Sequence, residues 1–194
     1  MSSALPERGA PWSELEPRMR ELAKGDVKWR DGRTGMYIFN AGEDVARVKK
    51  EAYAMFCEEN GLGPAAFPSL AQMEREVVAA GISLLNAPPG AAGAMSSGGT
   101  DSIFLAVKTA RDHARAKRGL TGALNIIAPA SAHPAFDKAC MTMDIEMRRI
   151  PTKDYLADVA AMESAIDANT LMIVGSAPCF PYGLIDPIEA LGEL

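Results

Sequence analysis

The sequence predicts an α/β protein with a mainly parallel sheet and helices on both of its faces. Short apolar runs at 124–128, 145–150 and 171–175 are separated by helical stretches at 134–143 and 156–168, the alternation of βαβ units. The third run contains Leu171-Met172-Ile173-Val174, apolar without interruption, as expected of a strand covered on both sides. The last residues, 187–194, read as the opening of another helix. A doubly wound sheet would continue from it to a further strand, so the sheet is expected to be incomplete within these residues.

Ahead of the alternating region the chain reads as helical. Residues 13–24 are charged and mildly amphipathic, and Gly25-Asp26 is a stop. Residues 28–41, rich in Gly and aromatics, read as a loop with a short extended piece at Met36-Tyr37-Ile38-Phe39. A helix is expected over 43–60, with Val45, Val48, Ala52, Met55 and Phe56 at helical spacing and Gly61 as its stop. A turn-rich loop at 60–68 leads to a second helix, with Ser69 as cap and Gln72 three residues on, the capping-box pattern. Leu70, Met73, Val77 and Ala80 form its expected inner stripe. The glycine-rich run 94–100 then opens a helix on which Ile103, Ala106, Val107, Ala110 and Ala114 share a face. This divides the chain into a helical segment over 1–90 and the first part of a sheet domain over 91–194.

Composition sets the bounds. Of 194 residues, 48% are hydrophobic, enough for a sizeable core. A net charge of −5 gives no electrostatic reason to expect nucleic acid or an anionic membrane as partner. No apolar run approaches the roughly 20 residues of a membrane helix. The start carries Pro6, Glu7, Arg8 and Pro11 and no apolar core, unlike a secretory signal. Cys57, Cys140 and Cys179 are far apart and odd in number, so neither a disulfide framework nor a zinc knuckle is expected, and a reducing cytoplasm is the simplest setting. With two histidines and no H-E-x-x-H, a catalytic metal is not expected either.

Three constellations carry candidate chemistry. Ser96-Ser97-Gly98-Gly99-Thr100-Asp101-Ser102 precedes a helix. Glycines let backbone N–H groups approach an anion, and the helix start adds unpaired N–H groups and a positive dipole end. Taken alone, the same run also reads as a flexible turn with a Ser or Thr cap. His133, in Ser131-Ala132-His133-Pro134, follows the first strand at its carboxyl end, where ligands of open α/β sheets gather; it also reads as a helix-start histidine with a satisfied hydrogen bond. Ser176-Ala177-Pro178-Cys179-Phe180-Pro181-Tyr182-Gly183 follows the third strand in the same way. Cys179 reads as a structural thiol, because no second histidine is placed to activate it. His113, among Arg111, Arg115, Lys117 and Arg118, reads as part of a solvated face.

In chain order, Asn60-Gly61-Leu62-Gly63-Pro64-Ala65-Ala66-Phe67-Pro68 with Met73-Glu74, Ser97 to Ile103, Ser131-Ala132-His133 with Phe136-Asp137-Lys138-Ala139, and Phe180 to Pro187 resemble the sphingosine-1-phosphate lyase branch of the pyridoxal-phosphate (PLP) dependent group II decarboxylases. The resemblance runs from about Trp29 to Leu194. It implies a type I aminotransferase-like fold, PLP as cofactor, and a carbon–carbon lyase or decarboxylase acting on a small amine or amino acid, commonly as a homodimer. Ser97, Gly98, Gly99 and Thr100 would hold the cofactor phosphate, His133 would stack on its ring as the catalytic residue, Ser176 would approach its oxygen, and Asn60 and Tyr182 would face the substrate. Two departures bear on the substrate. Gly63 and Tyr182 stand where lyases of this branch have histidines, so another amine fits as well as a phosphorylated sphingoid base. No lysine here matches the family's cofactor-holding lysine motif, so these residues alone are expected to be inactive, or to pair with a partner chain carrying the rest.

Overall fold

The computed structural model describes residues 6–194. The chain falls into two units, Met1–Gln72 and Met73–Leu194.

The first unit holds α1 (Trp12–Leu22), continued by a 3-10 turn at Ala23–Gly25, a second 3-10 turn at Trp29–Asp31, and α2 (Glu43–Met55). Two expectations are corrected here. The short extended piece expected at 36–39 is interrupted, because Tyr37 adopts a left-handed φ of 68°. α2 also ends at Met55, before the expected Gly61, because Phe56 leaves the helical region at φ −122°, ψ 22°. Its expected inner residues Val45, Val48 and Met55 are exposed.

α3 (Pro68–Leu84) begins one residue before Ser69, so Ser69 lies within its first turn rather than ahead of it. Pro68 suits that first position, where its missing N–H is not needed. Leu70 is half-buried, but Met73 and Val77 of the expected inner stripe are exposed.

In the second unit, α4 (Gly99–Arg118), β1 (Leu124–Pro129), α5 (Ala135–Met143), β2 (Ile145–Ile150), α6 (Val159–Ser164), β3 (Thr170–Ile173) and α7 (Ile188–Gly192) follow in order. Among the described residues the strands form one parallel sheet in the order β2-β1-β3. β1 is the central strand and is buried at every position, whereas β3 is half-buried throughout. The most apolar run is therefore not the best covered one: coverage follows position in the sheet.

Side chains alternate across β1. Leu124, Ile126 and Ala128 pack with Val107 of α4 and Ala139, Cys140 and Met143 of α5. Ile127 points the other way, to Met162 of α6 and Leu191 of α7. Helices thus cover both faces, as expected. On α4, Val107 and Ala114 are buried and Ile103 and Ala110 half-buried, while Ala106 is exposed. Burying Ile126 and Ile127 contributes roughly 1.5–3 kcal/mol each. Gly175 follows β3, where an added Cβ would lie 2.8 Å from Ile188 and Leu191; the missing side chain lets α7 pack closely.

The order β2-β1-β3 has a functional consequence. The chain leaves β1 for β2 on one side and returns to β3 on the other. The loops after β1 and β3 therefore diverge, which opens a crevice at the carboxyl ends of the strands.

Candidate functional site

A cavity of about 810 Å³ lies at that crevice. It is lined by the loop after β1 (residues 130–134), by Asp137 and Arg149, and by the segment after β3, including Ser176 and Tyr182. The fold therefore brings together His133, Ser176 and Tyr182, which lie apart in sequence.

His133 is exposed, and its ring is anchored. The backbone N–H of Ala135 donates to Nδ1 at 3.1 Å. With Nδ1 accepting, the neutral imidazole carries its proton on Nε2, leaving that N–H available.

The segment after β3 is held by Asp186. This buried carboxylate accepts from the N–H of Ser176 at 2.8 Å through one oxygen and from the N–H of Ala157 at 2.8 Å through the other. The Asp186 N–H in turn donates to the Ser176 carbonyl at 2.9 Å. The Ser176 backbone is thus fixed while its hydroxyl takes no part in these bonds. Beyond it, the Cys179 N–H donates to the Leu184 carbonyl and the Gly183 N–H to the Cys179 carbonyl, closing a turn that carries Phe180 and Tyr182. Gly183 has φ 66°, which glycine adopts without strain. The Tyr182 ring rests against Tyr155, with centroids 4.8 Å apart. Cys179 is buried, in keeping with a structural thiol.

Ser97, Gly98, Gly99 and Thr100 do not line this cavity. They form the exposed start of α4, with Gly98 as N-cap. Gly98 has φ 153°, ψ 175°, a conformation close to exclusive to glycine. Both the N–H and the hydroxyl of Ser97 donate to Asp101 Oδ2 at 3.1 Å, bracing the turn. An added Cβ at Gly98 or Gly99 would meet nothing within 4 Å, so the space before the helix is open. At the other end of α4, the Arg118 guanidinium donates to the carbonyls of Thr170 and Ala168, where β3 begins. The start of α4 therefore faces the carboxyl ends of the strands, the same end as the cavity. Asn60 belongs to the first unit; it is exposed, and its Oδ1 accepts from the Leu62 N–H at 3.1 Å.

Two contributors escaped the sequence reading. Arg149 on β2 donates to Asp137 and to carbonyls of the β1 loop. A charged residue near the carboxyl end of an apolar run was the available signal. The other is the Ser131 hydroxyl, buried and without a hydrogen-bond partner. Ser131 stands in the His133 segment read from the sequence, but nothing there marks its hydroxyl as buried and unpaired.

The chain shares 46% identity over 186 residues with a sphingosine-1-phosphate lyase of Oryza sativa, covering 91% of this chain and 34% of that protein. The structure of a Burkholderia pseudomallei sphingosine-1-phosphate lyase superposes with a TM-score of 0.91 at 38% identity, over all of this chain and 46% of that one. This chain belongs to the sphingosine-1-phosphate lyase-like branch of the group II PLP-dependent decarboxylases. Its fold is that of the superfamily, shared with a Lactobacillus brevis glutamate decarboxylase at a TM-score of 0.81 and 21% identity. This lyase-like chain spans about a third of the length of the curated relatives it matches. No family model matches it.

Proposed function

We propose that this chain supplies the phosphate-holding and ring-covering part of a PLP-dependent carbon–carbon lyase or decarboxylase. The observation that carries the reading is the shared orientation of two features: the open glycine start of α4 and the His133–Ser176 cavity both face the carboxyl end of one parallel sheet.

The residues present fit such a group. Space is open before Gly98 and Gly99, where a phosphate would meet the unpaired N–H groups and positive end of α4. In this reading the hydroxyls of Ser97 and Thr100 would join in holding it. His133 would lie flat on the cofactor ring, its turn fixed through Nδ1. Ser176 would offer its hydroxyl to the ring oxygen from a backbone held by Asp186. When bound, PLP supplies an electron sink for breaking a bond at the substrate carbon. In this reading residues 91–194 are the first part of the cofactor domain, with 1–90 a helical segment ahead of it. Tyr182, in the cavity lining, would face the substrate, which in this reading is a small amine or amino acid.

Among the described residues, those lining the cavity include no lysine. We infer that the amine holding the cofactor comes from elsewhere in the protein or from a partner, and that these residues alone bind without catalysing. Large apolar side chains of the first unit, Tyr37 and Phe39 at 84% and 102% exposure, favour a second copy of the chain or the remaining part of the enzyme as partner.

The test uses 4′-deoxypyridoxine 5′-phosphate, which has no aldehyde and so needs no lysine. It should bind at least tenfold more tightly than its phosphate-free counterpart, and Ser97→Ala with Thr100→Val should remove the difference. Equal affinity for the two compounds, or no binding of either, would overturn the reading.

A further inference from the structure

We propose that Arg149 is a positioning residue for His133, fixing the orientation of its ring. The functional meaning of that orientation rests on the cofactor reading above.

Arg149 lines the cavity, and a guanidinium there invites the role of anion binder. Its hydrogen bonds argue otherwise. A guanidinium has five N–H groups. Here Nε donates to Asp137 Oδ1 at 3.3 Å, and Nη1 donates to the carbonyls of Pro129 and Ala132, both at 2.9 Å. Nη2 donates to Asp137 Oδ2 and to the His133 carbonyl at 3.5 Å. All five are engaged within the protein, and none is left for a ligand.

These acceptors span the end of β1, the loop after it and the first turn of α5. The clamp therefore closes around the segment that presents His133. The His133 carbonyl is held by Arg149 and by the Phe136 N–H at 3.2 Å, while the ring is held by the Ala135 N–H. Release of the carbonyl side frees the loop to turn, and the ring then loses its Nδ1 donor and its single tautomer. Lysine cannot replace the fork, because one ammonium cannot reach three carbonyls and a carboxylate around a turn. The preceding residue is a built-in control. Arg148 points to the other face of the strand, donating to Asp167 and the Ala165 carbonyl.

The experiment is ¹⁵N NMR of the histidine rings in the full-length protein without ligand, followed by titration with 4′-deoxypyridoxine 5′-phosphate. Any further histidines are assigned by single substitution; His113, exposed on α4, is removed as H113Q. Wild-type His133 should show the Nε2–H tautomer. In R149K and R149Q both tautomers should be populated, and affinity for the analogue should fall about tenfold. R148Q should change neither reading. If R149K and R149Q do not fold, D137N, which removes the carboxylate's charge from the clamp, should move His133 in the same direction. An unmoved His133 in the folded variants overturns the proposal, as does an equal change in R148Q. A shifted tautomer in R149K with no analogue binding to the wild type sinks the cofactor reading and leaves this one standing. Normal binding with an unmoved His133 does the reverse.

Discussion

Asp186 Oδ2 accepts a hydrogen bond from the Ser176 N–H at 2.8 Å, fixing a residue ten positions earlier in the chain. Its other oxygen binds the Ala157 N–H, so one buried carboxylate joins the segment after β3 to the start of the α6 region. Removing it leaves two N–H groups without this acceptor, that of Ala157 buried and that of Ser176 part-buried. Asp186→Ala should therefore cost about 2–5 kcal/mol in urea denaturation, and Asp186→Asn, which keeps one acceptor, about half as much. Equal stability of all three proteins would deny the carboxylate this structural role.

Acid should weaken the amino end of the sheet. The Asn125 side chain, then Arg148, then the Asn169 N–H hold the Asp167 carboxyl at about 2, down from 3.8. A carboxyl lowered in the folded state stabilises above its unfolded value, and that contribution is lost as pH falls through the folded value. The loss should fall between about pH 4 and pH 2. Urea midpoints across that range should drop less steeply for Asp167→Asn than for wild type.

The three thiols should separate under iodoacetamide at pH 8. Cys57 is exposed and should react first. Burial pushes the Cys140 thiol up to about 11, so only about one in a thousand molecules carries its thiolate. Cys140 and the buried Cys179 should label only in denaturant, as read by peptide mass spectrometry.

The two glycines of the α4 start should behave differently. Gly98→Ala places a side chain at φ 153° and should cost about 1–3 kcal/mol. Gly99 is helical and has open space around it, so Gly99→Ala should be neutral or slightly stabilising. Thermal melts of the two variants check this contrast.

Local pattern determined much of this protein. The strand–helix alternation, the α4 face through Val107 and Ala114, and the four segments that carry the family likeness were legible because each depends on periodicity or on residues adjacent in sequence. Boundaries were less legible: α2 stops at Phe56 and the 36–39 run turns at Tyr37, because single backbone dihedrals end elements without a sequence signature. Tertiary structure alone decided the rest. Strand order made β1, not the more apolar β3, the buried centre and opened the crevice after both strands. It also brought Arg149 to the His133 loop and Asp186 to Ser176. Those partners are backbone groups, identical in every residue, and only the folded path of the chain selects which of them meet.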